Sequence, residues 1–145
     1  HVIHSSRERK SPFCLLLLDI DRFKQFNDVH GHLVGDKVLR FVAATLKRNL
    51  KGQDTAARFG GEEFAIILPG TDLKGGYSVA EQVRKSVSSG RLVEKEGEAA
   101  YGKITVSVGI AQFRMSDLPN TLIQRADSAL YLAKKRGRDR VEQAA

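Results

Sequence analysis

The apolar run at residues 13–18 constrains this chain more than any other feature. It holds six apolar residues and stops at Asp19. That is too short to cross a bilayer and too uniformly apolar for a strand with one wet face. It predicts a strand over residues 13–19 that is covered on both sides, as strands inside layered α/β structures are. A chain of 145 residues, 41% hydrophobic and 28% charged, can bury one such core, so one domain over residues 1–145 is expected.

The rest of the chain alternates helix and strand signals. Residues 22–29 read as a helix, and Gly31 and Gly35 mark a turn. Asp36 is a plausible N-cap for a second helix ending near Leu50, with Leu39, Val42, Ala43 and Leu46 at helical spacing. Residues 55–59 and 63–68 are short strands around Gly60-Gly61, a tight hairpin in which positive φ is natural. Pro69-Gly70 ends the hairpin, and a helix over residues 73–88 follows. Residues 91–102 are charged and Gly-interrupted, which suits a loop or a small exposed hairpin. Residues 103–113 alternate, with Ile104, Val106, Val108 and Ile110 on one side, predicting a strand with one buried face. The last helix is expected over residues 120–136, on a stripe of Leu122, Ala126, Ala129, Leu130 and Ala133, with Gly137 at C′. A short strand near residues 140–142 closes the order β-α-α-β-β-α-β-α-β. This is an α/β (α+β) pattern, a mixed sheet flanked by helices.

The formal net charge of +7 admits nucleic acid, anionic lipid or a phosphorylated small molecule as partner. The basic residues are dispersed, at 7–10, 47–51, 84–85 and 134–140, and no aromatics interleave with them. That argues against nucleic acid and for solvated helix faces with one or two cations kept for phosphates. Nothing points to direct membrane contact. Cys14 is the single cysteine, so no internal disulfide forms, and a reduced, cytoplasmic setting fits. His1 is an unusual first residue and suggests a fragment of a larger protein, truncated at its N-terminus.

The acidic residues carry the chemistry. Asp19-Ile20-Asp21 ends the first strand, and Glu62-Glu63 sits at the hairpin tip. Carboxylates beside apolar strands are costly to desolvate and want a counter-charge, which a hard divalent cation with oxygen ligands supplies. If strand one pairs with the hairpin, Asp19 and Glu62 converge. Alone, the first pair equally suits a solvent-facing strand end or a helix cap, and Gly-Gly-Glu-Glu alone suits an acidic turn. His30 and His32 flank Gly31, a weak metal signal, and His32 is more simply structural.

Taken together these segments resemble the GGDEF family of diguanylate cyclases. Arg58-Phe-Gly-Gly-Glu-Glu-Phe64 carries the signature in its GGEEF form. Residues 19–28 match D-x-D-x-F-K-x-x-N-D, and residues 31–36 match G-H-x-x-G-D. Ala126-Asp127 and residues 133–138 match the R-A-D and A-K-x-x-G-R segments. The resemblance implies a ferredoxin-like core similar to polymerase palm and adenylyl cyclase domains. It also implies a bacterial second-messenger enzyme that condenses two GTP into cyclic di-GMP and releases two pyrophosphates.

Carried over residue by residue, it implies that Asp19 and Glu62 bind metal with the Ile20 carbonyl, and that Glu63 is a further catalytic candidate. Asn27 and Asp36 would read guanine, although Asp36 alone is more often a cap. A carboxylate there accepts from guanine N1–H and the exocyclic amine, whereas adenine presents an acceptor at N1. Lys134 and Arg138 would hold the triphosphate, with Lys24 as a further phosphate residue. For the first two the bland alternative is the dipole of a helix C-terminus. Gly60 and Gly61 would let the nucleotide approach the backbone. The cofactor implied is Mg²⁺ or Mn²⁺, two per active half-site, about 3.5–4 Å apart and stabilising the attacking and leaving oxygens. Glu62 is also a candidate general base, beside direct activation of the hydroxyl by metal. A homodimer is implied, because each domain would hold one GTP.

The chain departs from the family at the inhibitory product site. The usual R-x-x-D reads Lys51-Gly-Gln-Asp54, and Gln82 stands where a second arginine is frequent, with Arg84 nearby as a substitute. The family's lead-in segment is absent. A catalytically silent regulatory domain that binds GTP or cyclic di-GMP is the alternative of a different class, and another nucleotidyl cyclase on the same fold is a third. The retained motif residues argue for the enzyme.

Overall fold

The computed structural model describes residues 3–4, 11–90 and 102–145. The elements are β1 (Phe13–Ile20), α1 (Phe23–His30), α2 (His32–Asn49), β2 (Thr55–Arg58), β3 (Glu63–Pro69), α3 (Leu73–Ser89), β4 (Val106–Gln112), α4 (Pro119–Lys135) and β5 (Arg140–Gln143). Their order matches the expected β-α-α-β-β-α-β-α-β. The proposed loop or hairpin at residues 91–102 falls, but for Gly102, outside the described residues, as does the basic cluster at 7–10.

One mixed sheet runs β2-β3-β1-β4-β5. β1 lies at its centre, antiparallel to both β3 and β4, and β4 runs parallel to β5. All eight residues of β1 are buried, as the apolar run requires. Alternate side chains enter two cores. Cys14, Leu16, Leu18 and Ile20 join Val38, Val42, Leu46, Val83 and Val87 from α2 and α3. Phe13, Leu15 and Leu17 join Leu122, Ala126 and Leu130 from α4. Asp19 continues the second series, so its side chain leaves the sheet on the α4 side.

β4 corrects the expectation of one buried face, because all its residues from Val106 to Ala111 are buried. Its second face is lined by Ser107, Gly109 and Ala111, and α4 packs directly on it. A Cβ at Gly109 would collide with the Ala126 carbonyl and the Leu130 backbone. Small residues that resemble a wet face in sequence are here the seat of a helix.

Two turn expectations are also corrected. α2 begins at His32, after Gly31 at φ 86°, so Asp36 is an exposed residue inside the helix and not its N-cap. Gly35 marks no turn; it is buried within α2. At the hairpin, neither Gly60 nor Gly61 takes positive φ. The four residues 59–62 form a wider loop, in which the Phe59 and Gly60 amides both donate to the Glu63 carbonyl, at 2.7 and 3.4 Å.

Candidate functional site

The centre forms where β1 ends beside the hairpin. Asp19 stands opposite Glu63 in the β1–β3 register, and the Ile20 amide donates to the Glu62 carbonyl at 3.3 Å. The convergence of strand end and hairpin expected from sequence is therefore present. A cleft of about 150 Å³ here is lined by Asp19, Ile20, Lys24, Glu62, Lys134 and Arg138, among others. Lys134 reaches down from the last turn of α4 and ion-pairs with Asp19 Oδ2.

The electrostatics are unbalanced. Asp19 is 5% exposed and its Oδ1 is buried without a hydrogen-bond partner. Burial raises its pKa against the pull of Lys134. Glu62 and Glu63 are raised as well, chiefly by desolvation and then by the Asp19 charge. Three carboxylates thus share one lysine, and an uncompensated buried oxygen faces the cleft. Among the described residues no group of three His, Cys, Asp or Glu side chains could hold a metal by itself. Two carboxylates and a main-chain carbonyl leave the remaining ligand positions to water and phosphate, the usual manner for Mg²⁺. The donor set fits a divalent cation.

The glycines at the hairpin tip leave space. A Cβ on Gly61 would meet no atom of the chain, and one on Gly60 only the Glu63 side chain at ordinary contact distance. Arg58 holds this loop, donating from Nε to the Gly60 carbonyl at 3.1 Å and from Nη2 to the Gly61 carbonyl at 2.8 Å. The sequence supplied no signal for that role beyond the place of Arg58 in the motif.

Asn27 and Asp36 lie outside the small cleft, at the corner of α1 and α2. Asn27 Oδ1 is buried and unpartnered, and it abuts Gly35, where any Cβ would overlap it. Gly35 therefore makes room for the carboxamide, and Asp36 follows it, exposed. Losing the cap reading removes the main structural explanation for Asp36. His30 packs on Phe26 with ring centroids 4.5 Å apart and the rings tilted at 43°.

Asp21 parts company with Asp19. Its carboxylate accepts from Thr105 Oγ1 at 2.8 Å, Ser107 Oγ at 2.6 Å and the Asp139 amide at 3.0 Å. It ties β1 to β4 and to the turn after α4. Thr105 and Ser107 escaped notice because their alternation placed them on a wet face.

At the expected product site, the Lys51 amide donates to Asp54 Oδ2 at 3.2 Å, and the Asp54 amide donates to the Lys51 carbonyl at 3.0 Å. Gln82 is exposed on α3. Arg84, the nearby arginine, pairs with Glu81 and Asp139.

The family model described as diguanylate cyclase, GGDEF domain, matches residues 1–140. The chain belongs to the GGDEF family. This GGDEF domain is 39% identical over 142 residues to diguanylate cyclase A of Treponema denticola, covering 97% of the chain and 38% of the relative. It is 45% identical over 128 residues to diguanylate cyclase DgcP of Pseudomonas aeruginosa, covering 88% of the chain and 19% of that relative. The chain thus spans well under half the length of these curated relatives. Among solved structures, the GGDEF domain of DgcB from Caulobacter crescentus, in complex with c-di-GMP, superposes with a TM-score of 0.94 at 39% identity, over 98% of this chain and 83% of that one. The active GGEEF domain of a diguanylate cyclase from Vibrio cholerae gives 0.90 at 30% identity, over 99% and 90%. Diguanylate cyclases of the GGDEF family are in general divalent-metal dependent. No helix among the described residues is long and apolar enough to cross a membrane.

Proposed function

We propose that this GGDEF domain is a working diguanylate cyclase, joining two GTP into cyclic di-GMP. The observation that carries the proposal is the buried, unpartnered Asp19 Oδ1 beside Glu62, in a cleft shared with Lys134 and Arg138. An inactive relic has no reason to keep a desolvated anion short of partners, since such groups cost stability.

Asp19, Glu62 and the Ile20 carbonyl would hold Mg²⁺ or Mn²⁺, two ions per half-site, with Glu63 near them. When bound, the ions neutralise the triphosphate and favour ionisation of the attacking hydroxyl. Lys134 and Arg138 bind the phosphates, assisted by Lys24 from α1. Their cationic groups favour departure of pyrophosphate as its charge grows. The open face of Gly60 and Gly61 admits the nucleotide against the backbone. Asn27 and Asp36 read the guanine edge. In each of two condensations a 3′-oxygen bonds to the α-phosphorus of the facing GTP, and the bond to pyrophosphate breaks. Glu62, the candidate general base, would accept the hydroxyl proton. The described residues of a chain form one such cleft, with room for one substrate, so two domains would face each other as a homodimer around the two substrates.

The test is direct. Purified chain is incubated with Mg²⁺ and either GTP or ATP, and the products are separated by chromatography across a range of protein concentrations. Cyclic di-GMP from GTP is expected, with little cyclic di-AMP, and specific activity should rise with concentration. GTP binding without turnover at any concentration would favour the silent regulatory domain. Comparable ATP condensation would remove the role given to Asn27 and Asp36.

A further inference from the structure

We propose that Arg84 on α3 is a positioning residue for the triphosphate, acting through Asp139 to hold the turn that aims Arg138 into the cleft. The proposal rests on the GTP reading given above. After α4 the chain passes through Gly137 at φ 121°, Arg138 at φ 63° and Asp139 at φ 46°. Among the described residues only three non-glycine positions have positive φ, and two of them are Arg138 and Asp139. L side chains adopt this backbone at a cost, and it persists only where the surroundings impose it.

The surroundings here are specific. The Arg138 amide donates to the Ala133 carbonyl at 2.9 Å, closing the helix end. The Asp139 amide donates to Asp21 Oδ2 at 3.0 Å, and Asp21 is itself fixed by Thr105 and Ser107. Arg84 Nη1 donates to Asp139 Oδ1 at 2.9 Å. The remaining guanidinium nitrogens of Arg84 grip both oxygens of Glu81, at 2.8 and 3.1 Å, so its planar fork is held on two sides. Asp139 is therefore clamped at its amide by Asp21, just past β1, and at its carboxylate by Arg84 of α3. Arg138 is the residue between this clamp and the helix end, and it lines the cleft with Lys134. An arginine whose backbone is fixed in advance loses less freedom on gripping a phosphate. A tie that served only to attach α3 to the sheet would not need to act on the residue next to Arg138, which lines the cleft.

Titrations of the full chain in Mg²⁺, followed by NMR, distinguish these roles. The probes are 3′-deoxy-GTP, which lacks the attacking hydroxyl and cannot cyclise, and guanosine, which lacks phosphates. Arg84→Met is expected to weaken 3′-deoxy-GTP about tenfold, the loss of one charge-assisted hydrogen bond's worth of positioning. Guanosine binding should be unchanged, and Arg84→Lys should recover part of the loss. The double variant Arg84→Met/Arg138→Met should bind no more weakly than Arg138→Met alone, because both act through one contact. Should Arg84→Met fail to fold, Asp139→Asn removes the same ion pair while keeping the backbone amide and carries the same expectation. Unchanged 3′-deoxy-GTP binding, equal weakening of both probes, or additive losses in the double variant would overturn the inference alone. A wild-type chain that binds neither probe would instead overturn the GTP reading, and the inference with it.

Discussion

Asp19 and Asp21 leave the same end of β1 two residues apart, and the two regions they enter keep opposite accounts. On the hairpin side, Asp19 has one oxygen without a partner, and its neighbours Glu62 and Glu63 share its need for a counter-charge. On the β4–β5 side, Asp21 accepts three hydrogen bonds, and Asp139 is satisfied in turn by Arg84. Residue type does not separate a site from its scaffold here. Satisfaction does: Asp21 and Asp139 close on their neighbours, and Asp19 holds one oxygen open for something else.

The largest expected effects break this comparison if they fall the wrong way. Asp19→Asn should lower cyclic di-GMP formation on the order of 10³-fold or more, as loss of a preorganised charge at the reacting centre does. Its unfolding midpoint in urea should not fall and should rise if anything, because a desolvated charge is removed. Asp21→Ala strands two hydroxyls and an amide and should cost roughly 2–4 kcal/mol of stability. Urea unfolding beside initial rates checks both. A destabilised Asp19→Asn with near-normal turnover would invert the assignment of the two carboxylates.

Much of this was legible in the sequence. The run at residues 13–18 announced a doubly covered strand, and the order of all nine elements followed from periodicity and glycine placement. The site residues at 19, 62, 134 and 138 were legible through their motifs and do line one cleft. What escaped was decided by tertiary packing. Ser107 and Gly109 alternate like a wet face, yet α4 lies on them. Asp36 has a cap's composition, but the helix takes Gly31 as its N-cap, five residues earlier than that reading required. Arg84 and Asp139 lie 55 residues apart, and no local pattern announces such a pair.

A smaller effect sharpens the comparison at a third carboxylate. Asp54 resembles Asp21 in being engaged by its own surroundings, through the Lys51 amide. Lys51 and Gln82 stand where arginines are frequent in the family, and Arg84 is committed elsewhere. Product inhibition at this position should therefore be weak. Lysine offers a point charge in place of a planar fork, a difference of about 1–3 kcal/mol. Lys51→Arg combined with Gln82→Arg should tighten cyclic di-GMP binding roughly tenfold to a hundredfold, as read by calorimetry. Submicromolar binding by the unaltered chain, abolished in Asp54→Ala, would show that the site is intact as it stands.

The smallest effect concerns the cost of keeping the hairpin side open. Glu62 has a folded-state pKa raised above its ordinary 4.5, mainly by desolvation and then by Asp19. The sign follows from linkage: a folded state with the higher pKa binds the proton more tightly than the unfolded chain. Below the ordinary value both states are protonated, and Glu62 costs nothing. As pH rises from there to the raised value, the unfolded chain ionises first and stability falls; above that window the loss is constant. Glu62→Gln should therefore stabilise the metal-free protein at neutral pH and make no difference in acid. Water still reaches Glu62, so the gain is discounted to between a few tenths and about 1 kcal/mol, or at most roughly 2–4 °C in Tm. Added Mg²⁺ should erase the advantage, because an ion held by the native carboxylates stabilises only the wild type. Melting curves of both proteins at acidic and neutral pH, with and without Mg²⁺, check each limb. A variant less stable than wild type at neutral pH without metal would mean that Glu62 is satisfied like Asp21, and the contrast between the two regions would fail at its hairpin end.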